Sequence, residues 1–161
     1  MLRRTLFVSA FALCIVLSAN AAEHGLIVFL ARITTDRPSV KWDAKSVVEG
    51  DFDGSHRRSF AALGYQDGRV MVAVGRKAPT GSTVAQYLEF GISPDRQNAI
   101  CALPAHLETA PLTCSDEEGG ESLPGCKEAP GVSQVSLVGG ECDPIYLYWD
   151  HSRKRMVWWR H

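Results

Sequence analysis

Short apolar runs alternate along the chain with breaks rich in Gly, Pro and Asp, and most runs have strand rather than helix length. Residues 26–30, LIVFL, form a continuous apolar run and predict a strand, and Val40 to Trp42 predict a second, short one. Ser46 to Glu49 then lead into an acidic loop. Residues 60–65 (FAALGY) and 69–75 (RVMVAVG) flank Asp67-Gly68, and glycine's tolerance of positive φ makes that dipeptide a tight hairpin turn. A turn at Pro79 to Gly81 precedes TVAQYLEFG (83–91), a further strand. Ser93-Pro94-Asp95 has the form of a helix start, with a serine cap and a first-turn proline, and Pro104 keeps any such helix short. VSQVSLV (132–138) predicts a strand ending at Gly139-Gly140, and no complete repeat of fixed period is present.

The C-terminal pattern is the most pronounced. IYLYWD (145–150) and RMVWWRH (155–161) surround a polar HSRK turn and predict a hairpin. Period-two geometry puts Tyr146 and Tyr148 on one face and Leu147 and Trp149 on the other, and it separates Trp158 from Trp159. Either one face joins the core while the other stacks on a sugar or a partner, or the domain covers both faces. On the first reading Tyr146, Tyr148, Trp149, Trp158 and Trp159 are the candidate binding residues. The fold class expected from these runs is mainly β. It is a small disulfide-stapled antiparallel β-domain with short helical segments and a partial propeller-like or sandwich architecture.

Residues 1–21 alter the compartment. Arg3 and Arg4, an apolar run from Leu6 to Leu17, and Ala19-Asn20-Ala21 form a secretory signal with cleavage expected before Ala22. As an uncleaved anchor the run falls short of the roughly 20 residues a spanning helix needs. Residues 22–161 are then a single exported domain, periplasmic or secreted. Cys14 leaves with the signal, so Cys101, Cys114, Cys126 and Cys142 remain and predict two disulfides. Sequential pairing, Cys101 with Cys114 and Cys126 with Cys142, is the expected connectivity. Intervening gaps of 12, 11 and 15 residues argue against a zinc site.

Losing Arg3 and Arg4 from 17 basic residues leaves 15 against 18 acidic ones, a net charge of −3. No basic stripe offers a footprint for nucleic acid, and no second long apolar run offers a membrane span. Residues 115–131 are acidic and rich in Gly and Pro. Asp116, Glu117, Glu118 and Glu121 read as part of a solvated loop tied down at Cys114 and Cys126, or else as a surface for a cation or a basic partner.

Catalytic signatures are missing: there is no G-x-S-x-G, H-E-x-x-H, P-loop or dinucleotide fingerprint. His24, His56, His106, His151 and His161 are scattered. Asp143 and Asp150 could form a glycosidase-like acid pair, though both sit at strand ends where turn residues belong. The expectation is a non-catalytic protein, with a small exported enzyme as an alternative.

Residues 49–60, EGDFDGSHRRSF, carry the one motif. Gly50, Asp51, Phe52, Asp53 and Gly54, followed by a strand, resemble the FG-GAP or VCBS-type repeat over residues 48–64. The resemblance implies a calcium loop: carboxylates of Asp51 and Asp53, the Arg57 carbonyl, and neutral oxygens or water bridges from Ser55 and Ser59. This chain departs from the family pattern at Ser55, His56 and Ser59, where acid, glycine and acid are usual. Arg57 and Arg58 also oppose a dication, and calcium needs six to eight oxygens. The alternatives are an Asp-Gly turn whose carboxylates accept backbone N–H groups, or a transition-metal site from Asp51, Asp53 and His56. A single repeat does not close a propeller. The functional expectation is an FG-GAP-like binding or interaction domain for a protein or glycan of the cell envelope, or a structural role there. Its sharper alternative is a periplasmic inhibitor or immunity protein against a cell-wall hydrolase.

Overall fold

The computed structural model describes residues 23–77, 82–115, 120 and 122–161. The expected signal segment, the Pro79 to Gly81 turn, and Asp116, Glu117, Glu118 and Glu121 lie outside them. The protein is mainly β, with one helix among the described residues, α1, over residues 23–36. One sheet has the order β1 (Lys41–Gly50), β2 (Ser59–Gln66), β3 (Arg69–Lys77), β4 (Thr83–Ile92) and β5 (Ala99–Ile100). The other runs β6 (Ala105–Pro111), β7 (Ser133–Gly139), β8 (Ile145–Asp150) and β9 (Arg155–Trp159). All pairings are antiparallel except β4 with β5, and the strands curl into a half-barrel.

Period two decides what each strand buries. Ala61 and Leu63, Val70, Val72 and Val74, and Phe90 face one way and meet Leu107, Val135, Leu137, Ile145, Leu147, Trp149 and Met156 from the second sheet. This is the main core. The opposite faces of β2 and β3 present Phe60, Ala62 and Ala73 to α1, which inserts Phe29 and Ile33. On the far side of the second sheet, Tyr148 packs with Leu112 and Val132 beneath the loop that contains Cys114, Leu123 and Cys126.

Three local expectations are corrected. Residues 26–30 are helical, not extended. Leu26, Phe29, Leu30 and Ile33 recur at helical spacing and pack on the sheet, while Ile27 and Val28 are exposed. Ser93-Pro94-Asp95 starts a turn, not a helix. Gly91 N–H donates to Asn98 O and Ser93 N–H to Ile100 O, so the chain loops round and β5 lies parallel to the end of β4. The disulfides join Cys101 to Cys142 and Cys114 to Cys126, with Cα separations of 5.8 and 5.6 Å. Cys101 N–H bonds Gly139 O at the end of β7, which brings the 140–144 turn to it. Cys114 and Cys126 clamp a loop whose Leu123 N–H bonds Cys114 O at 2.7 Å.

The short strand expected at Val40 to Trp42 is the start of the ten-residue β1, which takes in Ser46 to Glu49. β5 and β6 have no counterpart among the expected strands, and the remaining strand expectations hold. The β2–β3 and β8–β9 hairpins form in the predicted places, the first turning at Asp67 (φ 50°) and Gly68 (φ 72°).

Candidate functional site

The 51–58 loop joins β1 to β2 and is fixed by three features of its sequence. Phe52 turns inward and is 1% exposed in the main core, an anchor of about 1.5–3 kcal/mol. Its ring lies over Gly50, where an added Cβ would stand 2.6 Å from Phe52 Cε1, so no side chain fits there. Gly54 takes φ 70° beside His151 and Val132. Asp51 O accepts the Ser133 N–H at 2.8 Å, which ties the loop to β7.

With Phe52 inward, the flanking carboxylates serve the turn. Asp51 Oδ1 accepts the Ser55 N–H at 3.1 Å, and Oδ2 accepts the His56 N–H at 2.8 Å. Asp53 Oδ1 shares the Ser55 N–H at 3.1 Å. His56 is held at φ 57°, in the left-handed region that costs a non-glycine residue on the order of 1–3 kcal/mol. Its side chain is 77% exposed. Arg57 and Arg58 are exposed as well, with Arg58 Nη1 2.9 Å from Glu49 Oε1. Ser59 is buried in β2, its backbone opposite Gly50.

Of the residues expected to hold calcium, Asp51, Asp53 and Ser55 are therefore brought together, and Ser59 belongs to the sheet. Three of the four carboxylate oxygens already accept main-chain N–H groups. His56 Nδ1 lies 3.9 Å from Asp51 Oδ2, the oxygen that accepts the His56 main-chain N–H, and the imidazole is directed to solvent. Among the described residues no group of three or more His, Cys, Asp or Glu side chains converges on one point. This donor set fits the hydrogen-bonded turn better than a cage of six to eight oxygens.

Both faces of the aromatic hairpin are covered near its turn. Trp149 is buried in the main core and Tyr148 under the disulfide loop, its hydroxyl donating to Pro124 O. Tyr146 and Trp159 stack at 4.9 Å, with His161 edge-on to Trp159. Trp158 is 39% exposed and meets Phe90 edge-on.

Asp150 is completely buried in the β8–β9 turn. Its Oδ1 accepts the Ser152 hydroxyl and the N–H groups of Ser152 and Arg153, and Arg153 Nη1 lies 3.5 Å from Oδ2. The Ser152 hydroxyl bond, helped by those amides and by Arg153, holds the carboxyl below the usual aspartate range against the opposing effect of burial. Asp143 precedes the other end of β8, a strand that alone spans roughly 17 Å at 3.3 Å per residue. Glycosidase carboxylates stand about 5–9.5 Å apart, so these two do not form such a pair.

Sequence patterning passed over Gln86. Leu88 and Phe90 on β4 face the main core, so Gln86 is a polar residue at an inward position of the same strand, and that break in alternation was visible. No family model, no curated protein and no solved structure matches the chain.

Proposed function

We propose that this chain is an exported, non-catalytic binding domain of the cell envelope that meets a protein or glycan partner through the tip of its FG-GAP-like loop. One observation carries the reading: Asp51 and Asp53 brace the loop from behind, while His56 and Arg57 project from it into solvent. A loop ordered in advance avoids about 0.5–1.5 kcal/mol of ordering cost per immobilised side chain on binding. The two disulfides suit an oxidising compartment, consistent with export. The test is a photo-crosslinking residue at position 57 in producing cells, with exposed Lys127 as the control position. A discrete adduct from position 57 alone is expected. No adduct, or the same adducts from both positions, contradicts the reading.

The cationic tip favours a second, narrower reading as an inhibitor of a cell-wall hydrolase. Glycosidase clefts carry paired carboxylates, and a stiff loop bearing His56 and Arg57 complements them. The protein is then expected to slow a lysozyme-type muramidase and Arg57→Glu to relieve the effect. Unchanged muramidase rates would remove this narrower reading and leave the broader one standing.

A further inference from the structure

The half-barrel has a seam between two strand edges. β4 is bonded to β3 on one side, and on the other β5 pairs only with Gly91 and Ile92, leaving Thr83 to Phe90 without a strand neighbour on that side among the described residues. β9 is bonded to β8 and ends its sheet. Between them runs a groove of about 420 Å³ lined by Gln86, Leu88, Glu89, Arg155, Val157 and Trp158.

Gln86 crosses this seam in an unusual way. Its Nε2 donates to Met156 O at 2.7 Å, and its Oε1 accepts the Met156 N–H at 2.8 Å. A side-chain amide thus gives β9 the donor and acceptor that the peptide group of a neighbouring strand would give. Alternation along β9 points the Trp158 backbone the same way as that of Met156, and the topology provides it no strand partner. The charges lining the seam are uneven. Glu89 is paired with Arg69, and Arg153 leans on buried Asp150, whereas Arg155 has no carboxylate partner among the described residues.

We infer that the seam receives an extended, acidic peptide segment of a partner protein, added as a strand along β9. Main-chain bonds to the Trp158 edge would supply affinity, and alternate side chains specificity. A carboxylate on one face of the guest strand meets Arg155, and an apolar residue on the other meets Trp158 and Leu88. Gln86 holds the place of the guest's peptide group while the seam is empty. This surface is separate from the 51–58 loop, so it goes beyond the reading above and is tested apart from it.

The probe is a capped octapeptide alternating glutamate and valine, titrated against the protein in parallel with its lysine–valine counterpart. Tryptophan fluorescence and amide hydrogen exchange at Trp158 report binding. The glutamate peptide is expected to bind at least about tenfold more tightly at low salt, with the gap shrinking as salt screens Arg155. It should protect the Trp158 amide. Arg155→Glu should reverse the preference, and Gln86→Leu, which frees the Met156 groups, should tighten binding several-fold. Arg57→Glu should leave it unchanged. Equal binding of the two peptides, or none at millimolar concentration, overturns the inference and makes Gln86 and Arg155 guards of an otherwise idle edge. Protection of Trp158 by self-association without peptide, seen as a dimer in sedimentation, also overturns it.

Discussion

The Asp51 carboxylate grips the His56 backbone N–H at 2.8 Å across five residues of chain, and its other oxygen takes Ser55. That grip holds a non-glycine residue in the left-handed region and aims its imidazole outward. Asp51→Ala leaves the His56 N–H without its charged acceptor and the Ser55 N–H with Asp53 alone, and should cost about 1.5–3 kcal/mol in urea denaturation. Asp53→Ala should cost less, because it shares only the Ser55 N–H. His56→Gly should stay within about 1 kcal/mol of the parent, since relief at φ 57° is opposed by the entropy of an unfolded glycine.

Calcium should change little. A ligand that binds only the folded state must raise the melting midpoint. With three carboxylate oxygens engaged by N–H groups, the midpoint in millimolar calcium should equal that in EDTA. A rise that the Asp51→Ala/Asp53→Ala pair abolishes would make the loop a cation site.

The helix depends on a glycine. A Cβ at Gly75 would fall 2.5 Å from Phe29 Cδ2, and Phe29 is fully buried between α1 and the sheet. Gly75→Ala should destabilise by about 1–3 kcal/mol through overpacking. Combined with Phe29→Ala, the two losses should sum to more than the double variant shows, because the smaller side chain makes room for the methyl group.

Acid should act through Asp150. Its carboxyl titrates lower when folded than the unfolded value near 3.9, so its contribution is complete above about pH 4 and lost as pH falls through the folded value. The melting midpoint of the parent should therefore drop more steeply below about pH 4 than that of Asp150→Asn. Parallel acid limbs in the two proteins would show that Asp150 is not the group responsible.

Much of this architecture was readable from local chemistry. Asp67-Gly68 between alternating apolar runs marks its own hairpin, and the polar break at residues 151–154 marks the other. Gly50-Asp51-Phe52-Asp53-Gly54 announces a tight acidic turn because each residue has a local job there. Helix α1 was hidden because Ile27 and Val28 fill the gaps in its helical stripe and make the run look extended. The disulfide connectivity depends on where Gly139 and Gly140 lie relative to Cys101, which is set by tertiary packing and not by spacing along the chain. Trp158 and Trp149 differ in exposure for the same reason: identical side chains in one hairpin are sorted by what the first sheet covers.

The central claim is that the 51–58 loop is built by its own hydrogen bonds and needs no ion to present His56 and Arg57. Amide hydrogen exchange at Ser55 and His56 in EDTA tests it most directly. Both amides should be protected, to the same degree with and without calcium, and Asp51→Ala should release His56 while Ser55 keeps the Asp53 bond. Exchange at the rate of an unstructured chain in EDTA, with protection appearing only when calcium is added, would contradict it.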